Sequence, residues 1–215
     1  TGAERKNFGL ADLFGCDYAG KVDRKVANAY ISIDGPHPLT AGLDDTARIV
    51  GGTRIVHARP HPGMGAAPMR LIRSYPELPA EAAYPREPVS DEPMAYARPF
   101  GKGRVVYFPF NLDEAFWDDA ARDHLQLLRN AVAWATGEQH PMMVDGAGLV
   151  DVSYWRQEQS LAAHLVNLNN PAAMKGFIHE TVPVGPFTVS LALPAEARVR
   201  RVRLLEAERE AKTRR

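Results

Sequence analysis

The stretch from Glu92 to Leu112 narrows most sharply what this chain can fold into. It holds two apolar segments joined by Pro-Phe-Gly-Lys-Gly, a pattern that predicts a β-hairpin whose glycines supply the positive φ of the turn. Its second arm, Arg104 to Phe110, is β-branched and aromatic with little polarity, as in a buried strand. Residues 118–137 then predict an amphipathic helix with Ala121, Leu125, Leu128, Val132 and Ala135 on one face, Asp118 or Asp119 capping its start and Gly137 following its end. After Gly137 the character changes. No helical period appears between Pro141 and Pro194, and alternating segments separated by turn residues predict an antiparallel β-sandwich or sheet. A domain boundary is expected between residues 138 and 146, dividing the chain into 1–140 and 141–215.

The first region has weaker punctuation. Phe8 to Phe14 has the spacing of a short helix closed by a left-handed Gly15. Asn28 to Ile33 alternates like a half-buried strand, and the segment after His37 predicts a loop with one helical turn. Ala47 to Pro60 reads as strand segments interrupted by Gly51 and Gly52. Residues 61–93 are rich in proline, alanine and glycine around a strand-like 69–75, and much of this stretch is expected to be exposed loop.

Charge and cysteine content exclude several classes. Acidic and basic residues balance at 26 each, which removes the electrostatic footprint of a nucleic-acid binder. Only the segment from Arg198 to Arg215 is locally charged; its mixed signs from Glu206 onward predict a solvated terminus. No apolar run approaches the ~18 residues of a membrane span. One cysteine forms no internal disulfide and no zinc pattern, so a reducing, cytoplasmic compartment is expected. Thr1 is not an initiator methionine, and the chain is expected to be processed or part of a longer one.

Four sets of residues are candidates for chemistry. Cys16 lacks the glycines two residues to either side that a nucleophile elbow needs, since Phe14 and Tyr18 stand there; a structural thiol is the expectation. His37, His57, His61, His124 and His164 show no compact metal-ligand spacing, and each is expected to be structural. Asp113, Glu114, Asp118 and Asp119 follow directly on a strand. Helix capping and favourable charge at a helix N-terminus, with Phe116 and Trp117 in the core, explain them without further assumption. The alternative makes Asp113, Glu114 and Trp117 the edge of a sugar site, with the indole stacked on a sugar face. Gly101 to Gly103 lacks the spacing of a phosphate loop and is expected to be only the hairpin turn.

Taken together, Gly9 to Gly15 (GLADLFG), the block from Phe100 to Trp117, the helix Leu127 to Gly137, His164 to Pro171 (HLVNLNNP) and the later PVGPFTVSLALP resemble the C-terminal portion of multidomain glycoside hydrolases. These are the β-galactosidases with a trimerisation domain and their relatives built on a TIM barrel. The resemblance implies an α/β architecture: a partial flavodoxin-like, class I glutamine amidotransferase-like three-layer domain lacking its first strands, then a small antiparallel β-sandwich. It implies a non-catalytic accessory or oligomerisation region, with the TIM-barrel catalytic domain of a longer chain and further copies of itself as partners and with carbohydrate nearby. No catalytic residue, metal or cofactor carries over from it. Two alternatives stand beside it: a carbohydrate-binding module stacking sugars on Trp117, Tyr154 or Trp155, and an amidotransferase-like hydrolase dependent on Cys16.

Overall fold

Gly15, at φ 74°, ends a single helical turn, α1 (Ala11–Phe14), by donating its N–H to the Ala11 carbonyl at 2.8 Å. In the computed structural model, residues 5–64, 66–76, 78–137, 140–169, 180–211 and 213 are described; the first residues of the chain and the end of HLVNLNNP lie outside them. Their contacts divide the chain into two units, Thr1–Gln139 and His140–Arg215.

The first unit mixes small antiparallel sheets with few helices. Strand β1 (Cys16–Arg24) pairs with β4 (Arg54–Pro60), and β2 (Tyr30–Ile33) lies between β3 (Arg48–Val50) and β5 (Met69–Ile72). The break at Gly51 and Gly52 thus sends β3 and β4 to different sheets. A 3-10 turn, Pro38–Thr40, supplies the helical turn expected after His37. The hairpin formed by β6 (Tyr96–Phe100) and β7 (Gly103–Tyr107) is as the sequence predicts, with Gly101 at φ 57°. Its second arm is only half-buried and stops at Tyr107; the chain then runs on beside β4, with Val56 N–H donating to the Pro109 carbonyl at 2.8 Å. Residues 92–95 likewise extend the β5 edge through Leu71 N–H to Glu92 and Met94 N–H to Met69.

The expected single helix is two. Ala120, at φ 50°, closes α2 (Leu112–Asp119) by donating to the Phe116 carbonyl, so Asp118 and Asp119 end a helix instead of starting one. The longer α3 (Arg122–Thr136) begins after Ala121 with no side-chain cap and ends on Gly137 at φ 75°. Its inner face is His124, Leu127, Leu128, Ala131 and Trp134, displaced from the predicted face; Val132 and Ala135 are exposed. The Leu127–Leu128 pair permits two apolar stripes, and only the one continued by Trp134 meets the core of Ile31, Leu39, Met69, Leu71 and Met94. Arg104 holds the helix end, donating to the Trp134 carbonyl at 2.9 Å with its guanidinium over the indole ring.

No parallel pairing occurs among the described residues. Parallel strands need crossover connections, and here neighbours in a sheet run antiparallel, so what is established is a mixed fold of small antiparallel sheets.

The second unit contains only strands among its described elements. β8 (Met142–Gly146) pairs with β11 (Phe187–Leu191), and β9 (Val150–Arg156) with β10 (Leu161–Asn167) around one of the turns that separate the alternating segments, where Gln157 N–H donates to the Ser160 carbonyl. β12 (Arg203–Leu204) and β13 (Arg209–Glu210) form a short exposed ribbon in the charged terminus. Alternation places Val150, Val152, Tyr154, Leu161, Ala163 and Leu165 on one face of the β9–β10 ribbon, and Met142, Val144, Phe187, Val189 and Leu191 on one face of β8–β11. No described residue of this unit is fully buried.

Candidate functional site

Of the acids flagged by the sequence, Asp113 and Glu114 sit in the first turn of α2 and Asp118 and Asp119 at its end. Asn111, just before the helix, accepts from Thr53 N–H and Arg54 N–H through Oδ1 at 3.0 and 2.9 Å. Its amide donates to Thr53 Oγ1 and to Glu114 Oε2 at 3.0 and 2.8 Å. Glu114 also lies 4.0 Å from Arg54. Asp113 is exposed in the first turn, where a carboxylate complements the helix dipole. Trp117 is 86% exposed, so its expected place in the core is corrected; Leu112 and Ala115 take the buried positions of α2. Asp113, Glu114 and Trp117 all lie on the exposed side of α2, and of the three Glu114 is tied to Asn111. The strand-edge argument that singled them out belongs to open parallel sheets, and the strand before α2 is antiparallel.

Cys16 is fully buried among Ala58, Tyr96, Phe8, Phe14 and Tyr107. Burial first, then the nearby Asp17 charge, pushes its thiol up to about 11, the opposite of what a nucleophile needs. The same aromatic pocket pushes Tyr107 up to about 12.

The polar cluster that sequence reading missed centres on His57. Its ring is 8% exposed, with Nε2 2.8 Å from Asp23 Oδ2 on β1 and Nδ1 2.6 Å from Glu92 Oε1 on the segment that leads into β6. Lys21 Nζ lies 2.9 Å from Asp23, and Arg73 lies 3.8 Å from Glu92. Burial alone raises the Asp23 carboxyl, but the bonds from Lys21 and His57 outweigh it and hold the group below its ordinary range. Both ring nitrogens thus face a carboxylate, one on β1 and one on the segment that leads into β6. The cluster ties β1, β4 and the 92–95 segment together. A hollow of about 380 Å³ lies beside it, lined by Lys21, His57, Arg59 and Glu92. Nothing local signals the cluster, because Asp23 and Glu92 lie 34 and 35 residues from His57 in sequence.

Three other histidines, His37, His61 and His124, make contacts within the first unit, and His164 is exposed on β10. His37 Nδ1 accepts from Leu39 N–H at 3.1 Å, capping the 3-10 turn, and burial pulls its ring below the ordinary histidine range. His61 Nε2 lies 3.1 Å from Asp17. His124 Nε2 meets the Val50 carbonyl at 2.9 Å, while Nδ1 is buried with no partner among the described residues. Among those residues no group of three or more histidine, cysteine or acidic side chains is placed to hold a metal ion, and no helix is long and apolar enough to cross a membrane. No family model, curated protein or solved structure matches the chain.

Proposed function

We propose that the chain is an accessory, assembly-supporting region of a glycoside hydrolase-like protein and contributes no catalytic group of its own. The observation that carries this reading is the second unit's surface. Its β8–β11 and β9–β10 ribbons each have an apolar face, yet none of its described side chains is fully buried. Two-stranded ribbons are marginal alone and gain stability by covering such faces. The partners in this reading are the TIM-barrel catalytic domain of a longer chain and further copies of this one. The finer architecture, a partial amidotransferase-like domain followed by a small β-sandwich, belongs to the same proposal. The packing of α3 on the core supports its layered part, and the antiparallel pairing is where the chain departs from it.

Sedimentation velocity across a concentration series tests the reading. Self-association is expected, weakened by Val152→Asp and Leu165→Asp, together with no hydrolysis of aryl galactosides or glucosides. A monomer at every concentration, or turnover at enzyme-like rates, refutes it. A second reading, carbohydrate binding on the second unit, is favoured by Trp155. It is 61% exposed on the polar face of its ribbon, on the side that also carries Ser153 and His164.

A further inference from the structure

Strand β10 has one edge on β9 and the other unpaired among the described residues. Which of its backbone groups face that open edge follows from the bonds at the two ends of the ribbon. Gln157 N–H donates to the Ser160 carbonyl and Leu168 N–H to the Leu149 carbonyl, both in register with the pairs between them. Bonded and non-bonded pairs alternate along an antiparallel ladder, so Ala162, His164 and Val166 direct their backbone groups at β9. Leu161, Ala163, Leu165 and Asn167 point theirs away, and no backbone partner meets them there among the described residues.

An open edge is a template for a further strand, and proteins ordinarily blunt it with charge, proline or a bulge. β10 has none of these: its seven residues, LAAHLVN, include no acid, lysine, arginine, proline or glycine, and all pair with β9 without a break in register. The other edges of this unit are guarded or short. β9 carries Asp151 and Arg156, β8 carries Asp145 and ends in Gly146, and β11 is five residues long and preceded by Pro186.

The sequence of β10 is also its own complement. Laid antiparallel on a second copy with a two-fold axis at His164, Ala163 stands opposite Leu165 and Leu161 opposite Asn167, all residues whose backbone groups already point outward. Small side chain meets large on the apolar face. An axis normal to the sheet keeps the same face of both copies on one side, so Val152, Tyr154, Leu161, Ala163 and Leu165 continue from one copy into the next as one apolar surface. On the opposite face Ala162 stands against Val166, and His164 against its own counterpart.

We propose that β10 pairs with β10 of a second copy, antiparallel and centred on His164, joining two ribbons into one four-stranded sheet. The pairing rests on the assembly reading and names its partner and its contact. It also supplies the added strands that a two-stranded ribbon lacks.

Cysteine cross-linking and charge pairing at His164 test it, alongside sedimentation velocity of the same variants of the whole chain. His164 is exposed, and an unchanged far-UV circular dichroism spectrum checks that each variant folds. In the proposed register the two His164 Cα atoms lie about 4.5 Å apart, within reach of a disulfide. His164→Cys is expected to form a covalent dimer on air oxidation. Ala162→Cys is expected not to, because the two copies of position 162 lie roughly 13 Å apart along the strands. The parent, whose Cys16 is buried, should give none. His164→Lys and His164→Glu each set like charges across the axis and are each expected to raise the dissociation constant about fivefold, and an equimolar mixture of the two should recover the lost association. Self-association without a His164→Cys dimer, or with Ala162→Cys cross-linking equally well, overturns the strand pairing and leaves the assembly reading standing. Association that both charge variants leave unchanged does the same. A parent that stays monomeric at every concentration refutes both.

Discussion

Nδ1 of His57 lies 2.6 Å from Oε1 of Glu92, a bond between the middle of β4 and the segment that feeds β6. Glu92 is only 14% exposed, whereas Asp23, on the other ring nitrogen, is 35% exposed. The inner bond is therefore less screened. Glu92→Ala is expected to cost about 2 kcal/mol of unfolding free energy, and Asp23→Asn about 1 kcal/mol or less, both read from urea denaturation at neutral pH. Equal effects would show that the ring is not held mainly from the Glu92 side.

Acid should weaken the first unit through the aspartates. The Asp34 carboxyl is lowered chiefly by its bond from Arg70, and Asp17 chiefly by the bond from Asn7. Asp23 is lowered against its own burial by Lys21 and His57. Each folded value lies below the ordinary 3.8, so the unfolded chain binds these protons first. Their stabilisation is complete above that value and is lost as pH falls through the folded values. Denaturation midpoints measured from neutral pH downward should hold until the ordinary carboxylate range and then fall.

His37 sets a second, milder pH window. Its ring is held neutral by burial and its Nδ1 caps the turn at Leu39, so the cap is present above the ordinary histidine value of 6.5. It is lost as pH falls through the lower folded value. His37→Ala should cost about 1 kcal/mol at pH 8, and the gap to the parent should narrow in mild acid. A gap independent of pH would mean that the imidazole contributes packing and not a cap.

Cys16 should behave as a buried apolar group. Its thiol is shielded by Tyr96, Tyr107 and Phe14, and burial pushes it up to about 11. Thiol reagents should label the native chain slowly and the urea-unfolded chain at once, and Cys16→Ala should cost about 1 kcal/mol. Rapid native labelling would revive it as a nucleophile.

The turn before β4 should be intolerant where the exposed helix is not. Gly52 stands at φ 73°, and a Cβ there would collide with Asn111 Oδ1. Gly52→Ala is expected to cost about 2 kcal/mol, since it strains the backbone and displaces the amide that binds Thr53 and Arg54. Trp117→Ala should lie within about 0.5 kcal/mol of the parent in thermal melting.

Local signals in the sequence reported local structure well. The β6–β7 hairpin, the Gly15 and Gly137 helix ends, strand β2 and the turn between β9 and β10 all lie where residue spacing places them. β1 was illegible, because a bulge between Tyr18 and Val22, with Gly20 at φ 84°, breaks the two-residue period. The face of α3 was misread because His124 counts as polar in a sequence yet is buried against the Val50 carbonyl. The His57 cluster depends on segments brought together by tertiary pairing, which no local period reports.

The apolar faces of the β8–β11 and β9–β10 ribbons also bear on how substitutions in this protein will be tolerated. A mutational scan of the chain by itself would score Val152 and Leu165 as milder than the core positions of the first unit, since Val152 is exposed and Leu165 only partly buried. If the proposed assembly forms, the same positions should appear among the most constrained of the second unit in a cell that supplies the partner. The difference between the two scans would trace the contact surface residue by residue.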